Sequence, residues 1–155
     1  MNYRGCLLAV REISAAKRFY EEVLHQKVLM DLGEHVSFGG FSLQQGYAAL
    51  IGREEGIKEP SHSFQVYFEV EDLEQAYAEM KALPGLEWVH EIREYPWGQR
   101  DFRLYDPDGH VVEVAENMEA VIRRFCGQGM PEEEVAGRTM YPLEEVKRIM
   151  AEKNR

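Results

Sequence analysis

The chain has 155 residues, 45% hydrophobic and 30% charged, with a formal net charge of -10. That length suits one domain plus a small appendage and is long enough to bury a real core. The acidic balance excludes nonspecific binding to DNA or an anionic membrane, which needs a basic surface, and no run approaches the roughly 18 apolar residues of a membrane span.

The first residues, MNYRGCLLAV, have too short an apolar run and no cleavage-site pattern for a signal peptide, so a cytoplasmic location is expected. Cys6 and Cys126 are the only cysteines and form no C-x-x-C pair, which reads as two free thiols. LLAVREISAAKRFYEEVL begins as a strand and becomes helical; strand-like runs follow at Lys27–Leu32, Glu34–Phe38 and Phe41–Gln45. Gly46–Ser61 reads as a linker, glycine-rich and charged, with Pro60 near its end. YFEVEDLEQAYAEMKAL then repeats the opening pattern at an offset of 60: Val10 meets Val70, Glu12 meets Asp72, Ile13 meets Leu73, and Ala16 meets Ala76. Asp72 and Gln75 have capping-box spacing, Leu73, Ala76, Tyr77, Met80 and Leu83 follow at helical intervals, and Pro84-Gly85 stops the helix. Strands are expected at Glu87–Arg93, Asp101–Tyr105 and His110–Ala115, with a DPDG turn at Asp106–Gly109 between the last two. The order βαβββ therefore occurs twice, predicting an α+β fold of two modules, about 1–50 and 62–116, whose curved mixed sheets enclose a cavity.

Beyond this 1–116 domain, residues 117–155 form a helical appendage with three helical patterns. Pro131 and Pro142 stand at helix starts with acidic residues behind them, and Gly127 and Gly129 break the first pattern from the second. The last two have the spacing of a helix-turn-helix, but the second opens Pro142-Leu143-Glu144-Glu145, which would meet phosphates with negative charge. Nucleic acid is not an expected partner; Val135, Leu143, Val146, Ile149 and Met150 are expected to pack the tail onto the domain or onto a second subunit.

One residue is out of place. Val111, Val112 and Val114 favour a strand, and Glu113 interrupts them. With the paired βαβββ pattern, AAKRFYEEVL and PWGQRDFRLYDPDGHVVEV resemble the vicinal oxygen chelate superfamily, which includes glyoxalase I, extradiol dioxygenases and bleomycin-resistance proteins. The resemblance covers about Tyr3 to Glu116. It implies that four strand positions, Gly5, Ser42 or Gln44, Gln65 and Glu113, correspond to those that hold a divalent metal in the superfamily's enzymes. Only Glu113 is a strong ligand; Gln65 gives one neutral oxygen and Gly5 has no side chain. A degenerate metal site and no cofactor are therefore expected, with a divalent metal on Glu113 and Gln65 as the alternative. Among the histidines, His62 is out of phase with Gln65 unless a bulge intervenes, His110 is out of phase with Glu113, and His25, His35 and His90 read as solvated or locally bonded.

Without a metal, the resemblance still implies a concave ligand site. Strand alternation puts Gln65, Tyr67 and Glu69 on one face, and Val111, Glu113 and Ala115 on another strand's matching face. Arg103 and Tyr105 join them, or else Phe102 and Leu104; Arg103 would pair with Glu113 or grip an acidic group of a ligand. In EYPWGQR, Tyr95 and Trp97 either cover a ligand or close the core, and Gly98 gives the loop freedom. Gly5 leaves room for a ligand. The expected function is a small-molecule-binding protein, homodimeric, with Gln65, Tyr67, Trp97, Arg103 and Glu113 lining its pocket. The alternatives are a metal-dependent lyase, isomerase or dioxygenase of the same superfamily, and a regulatory protein that engages a partner through its helical tail.

Overall fold

Both halves of the repeat fold as four-stranded sheets. A computed structural model describes residues 5–52, 62 and 64–152, so the expected linker beyond Gly52, with Pro60, lies outside the described residues. The chain divides into two units, Met1–Phe64 with Tyr105–Val111, and Gln65–Leu104 with Val112–Arg155.

In the first unit, β1 (Cys6–Val10) leads into α1 (Ile13–Arg18), which continues as a π-helical turn over Phe19–Val23. β2 (Met30–Asp31), β3 (His35–Ser37), β4 (Phe41–Gln45) and a short α2 (Tyr47–Leu50) follow. The sheet order is β1-β4-β3-β2, with β1 parallel to β4 and the other pairs antiparallel. Glu12 starts α1, its carboxylate accepting the backbone N–H groups of Ser14 and Ala15. Leu8, Val10, Ala16, Val36 and Leu43 are buried with an aromatic group in which Phe38 stacks on Phe41 at 4.9 Å and both flank Tyr20. The DPDG turn belongs to this unit. The Tyr20 hydroxyl donates to buried Asp106 at 3.0 Å, and Arg11 Nε donates to Asp108 at 2.8 Å. Burial first, then Asp106, pushes the Tyr20 phenol well above its ordinary value, so it remains a donor. α2 gives the start of the expected linker one turn of helix, since YAAL is below what helical periodicity can register.

The second unit repeats the plan. β5 (Gln65–Val70), α3 (Leu73–Lys81), β6 (Trp88–Glu94), β7 (Arg100–Tyr105) and β8 (Val111–Glu116) give the order β5-β8-β7-β6, the same as in the first sheet. Asp72 caps α3 through the Gln75 N–H at 2.9 Å, while the Gln75 side chain donates to Glu79, so half of the capping box forms. Phe102, Leu104, Val112 and Val114 are buried on these strands. The fold is α+β with two open mixed sheets and C-terminal helices.

The tail forms α4 (Met118–Gly127), α5 (Glu132–Thr139) and α6 (Leu143–Glu152). Their apolar faces meet in a core of Val121, Ile122, Phe125, Val135, Val146 and Ile149, against which Met150 packs. The helices are also fastened to the second unit. Arg124 donates to the Gly98 carbonyl at 2.6 Å and to Glu116 at 3.0 Å, and Arg138 donates to Glu94 at 2.6 Å. Gly98 is buried under the Phe125 ring, where a Cβ would lie 2.2 Å from the ring edge. The expectation that Gly98 frees a loop is thus corrected: at φ +88° it permits close approach of the tail.

Candidate functional site

Four strands bring polar side chains to one face of the second sheet. β8 carries Glu113, 7% exposed, between Val112 and Val114. On β7, Phe102 and Leu104 turn into the core, which leaves Asp101 and Arg103 on the opposite face, two residues apart as the pleat requires. β5 supplies Gln65 and Tyr67, and β6 supplies His90.

Arg103 is the centre of this group. Its Nη2 donates to Glu113 Oε2 at 2.6 Å, its Nε to Gln65 Oε1 at 3.1 Å, and its Nη1 to His90 Nε2 at 3.0 Å and to the Tyr95 hydroxyl. The Gln65 amide in turn donates to Glu113 Oε2. Asp101 Oδ2 lies 2.6 Å from Arg103 Nη1 as an ion pair, yet among the described residues neither Asp101 oxygen has a partner in hydrogen-bond geometry. Burial pushes the Asp101 carboxyl up to about 6 against the pull of Arg103, and the charge of Glu113 adds to the rise. Burial also pushes His90 below its ordinary value of 6.5, so the imidazole is neutral at pH 7.

An aromatic border adjoins the polar group. Tyr95 and Trp97 stack at 4.7 Å and 12°. Trp97 Nε1 donates to Gln99 at 3.1 Å, Gln99 donates to the Tyr67 hydroxyl at 3.1 Å, and Tyr67 donates to Glu69 at 2.8 Å. Tyr67 remains 45% exposed, and burial with the Glu69 bond pushes its phenol up to about 12.

Of the five pocket residues expected from the sequence, Gln65, Arg103 and Glu113 touch one another, and Tyr67 and Trp97 are joined through Gln99. Arg103 takes the ion-pairing role, and the open choice between Arg103 and Phe102 for this face is resolved by burial. Asp101 and His90 were missed. Alternation from Arg103 would have found Asp101. The reading of His90 as solvated or bonded only locally is corrected, because register shifts between Trp88, His90 and Arg93 bring it opposite Arg103. His62 meets Tyr105 at 3.2 Å, His35 meets Gln44 at 3.0 Å, and His110 meets Asp106 at 2.8 Å.

The side chains at the superfamily's metal positions do not fit a divalent ion. Gly5 offers no side chain, and a Cβ there would lie 2.6 Å from the Gly40 carbonyl. Gln44 is engaged by His35 and the Gln45 carbonyl. Glu113 and Gln65 are bonded to a guanidinium, which repels a cation. Among the described residues, no three His, Cys, Asp or Glu side chains are placed to hold an ion.

A glyoxalase-like domain model matches residues 3–119. Among solved structures, a protein of unknown function from Agrobacterium tumefaciens is 33% identical with a TM-score of 0.66, covering 76% of this chain and 94% of its own. A glyoxalase-related enzyme from Fulvimarina pelagi is 20% identical with a TM-score of 0.63, covering 76% and 90%. A glyoxalase/bleomycin resistance protein/dioxygenase from Nocardioides is 20% identical with a TM-score of 0.60, covering 75% and 83%. A comparison with curated proteins finds no match. This chain belongs to the glyoxalase-like family, within the vicinal oxygen chelate superfamily of glyoxalases, bleomycin-resistance proteins and dioxygenases.

Proposed function

We propose that this protein binds a small organic molecule on the Glu113 face of its second sheet, and that the site is a degenerate form of the superfamily's metal site. The observation that carries this reading is the Arg103 guanidinium bonded at once to Gln65 and Glu113, two positions that correspond to metal ligands. Gln65, Arg103 and Glu113 serve as polar anchors, while the exposed Tyr67 ring and the Tyr95–Trp97 stack supply flat apolar surface for a planar ligand. Residues 1–116 make up the binding domain and 117–155 a helical appendage; we take the protein to be cytoplasmic and homodimeric, the latter to be checked by light scattering. No helix among the described residues is long and apolar enough to cross a membrane.

Titration with a panel of planar aromatic compounds, followed by tryptophan fluorescence, tests this reading. Ligands that quench Trp97 should lose about tenfold or more in affinity in Glu113→Ala, as expected when a buried polar anchor is removed. Unchanged affinity in that variant overturns the anchor role. Stoichiometric divalent metal in protein purified without chelator, lost in Glu113→Ala, overturns the degenerate-site reading.

A further inference from the structure

We propose that the helical tail is a clamp on the ligand face. α4 and α5 hold residues 94–99 so that the Tyr95–Trp97 stack stands as a fixed wall beside Arg103, with Arg124 and Arg138 as positioning residues for binding. The proposal rests on the small-molecule reading above and goes beyond it, since Arg124, Phe125 and Arg138 lie beyond the glyoxalase-like domain.

The turn that carries the two rings has few internal ties. The Tyr95 N–H donates to the Gln99 carbonyl at 2.9 Å and the Gly98 N–H to the Tyr95 carbonyl at 2.8 Å. Those bonds close the turn without fixing its tilt against the sheet. The tilt is set from outside, at three points. At the start, Glu94 accepts from Arg138 at 2.6 Å and pairs with Arg124 at 3.6 Å. In the middle, the Gly98 carbonyl accepts from Arg124 at 2.6 Å, and the Phe125 ring covers the same glycine. At the end, Gln99 donates to the Glu116 carbonyl at 2.9 Å. The Arg100 N–H and Arg124 share one Glu116 oxygen, at 3.1 and 3.0 Å.

The same turn reaches the ligand face. The Tyr95 hydroxyl accepts from Arg103, and Trp97 is tied through Gln99 to the exposed Tyr67 ring. Arg124 and Arg103 thus grip one turn between them. The tail's own packing does not call for this grip, because Val121, Ile122, Val135, Val146 and Ile149 already bury one another in its core. The guanidiniums of Arg124 and Arg138 instead lie over the Phe125 ring at 4.7 and 4.3 Å and send their N–H groups to Gly98 and Glu94. Rings held in place before a ligand arrives need no ordering on binding, and that strengthens affinity.

The test uses the full chain labelled with fluorotryptophan. Its two tryptophans give separate fluorine resonances, assigned with Trp88→Phe. In Arg124→Ala and in Arg138→Ala the Trp97 resonance should move toward that of the free amino acid. Trp88, which packs with Tyr77 and Phe102, should keep its wild-type shift. Planar aromatic compounds that shift Trp97 in wild type should bind about tenfold more weakly in either variant, the scale of ordering a residue or so of backbone. A Trp97 resonance unmoved in both variants overturns the clamp. Movement of Trp88 and Trp97 together marks a general loosening of the fold and also overturns it, as does a loosened Trp97 with unchanged affinity. If no planar compound shifts Trp97 in wild type, the small-molecule reading fails, and the fluorine resonances alone decide whether the tail holds the turn. Should Arg124→Ala not fold, Arg138→Ala, at a side chain 37% exposed, carries the same test.

Discussion

Gly98 and Glu113 illustrate how single residues acquire their meaning from neighbours distant in sequence. A Cβ at Gly98 would strike the Phe125 ring at 2.2 Å, and the backbone there has φ +88°. Gly98→Ala should therefore destabilise the protein by about 3 kcal/mol, combining overpacking with left-handed strain, as read by urea denaturation. Nothing in EYPWGQR points to Phe125, so Gly98 read as a source of loop freedom and not as a point of close approach. Glu113 was more legible: a carboxylate in a valine run on the face shared with Gln65 signalled a polar site, while alternation left Arg103 and Phe102 as alternatives that burial of Phe102 decides. His90 was hidden because irregular pairing in β6 breaks the two-residue period on which that reasoning depends.

At the level of elements, the repeat was readable because Val10/Val70, Glu12/Asp72 and Ala16/Ala76 keep one offset, and the two sheets do share one strand order. The π-helical turn at Phe19–Val23 and the single turn of α2 were not, since FYEEV reads equally well as ordinary helix and YAAL is too short to show a period. The join between the tail and the second sheet is a chain of alternating charge, Glu74, Arg100, Glu116, Arg124, Glu94 and Arg138. Burial pushes the Glu116 carboxyl up, but its bonds to Arg100 and Arg124 outweigh that and hold it below its ordinary value of 4.5. A folded value below the unfolded one gives stability that is present above pH 4.5 and lost as pH falls through the lowered folded value. Melting temperature should accordingly fall on acidification below pH 4.5, and Glu116→Gln should start lower at neutral pH and lose less on the acid limb.

For the whole molecule, composition and charge established only that the chain has a core and lacks a basic surface, while the glyoxalase-like fold emerged from the repeat and two motifs. The tail's three helices were legible from their proline and glycine punctuation; its private core and its arginine fastening were not, because both depend on which helix faces meet. The DPDG turn carries a further consequence. In the first unit, Arg11 donates to Asp108 and the buried hydroxyl of Tyr20 donates to Asp106, on a segment 86 residues beyond Tyr20. During synthesis the amino-terminal half emerges well before those carboxylates do, so it cannot complete its packing on a first-come basis. Folding of that half must wait for the end of the other, which raises the sequence separation of its contacts and slows the search for them. A fragment ending at Leu104 should lack cooperative unfolding of the first unit by circular dichroism, and one extended through Glu116 should regain it. The motif that looks most local in the text is what completes the first unit.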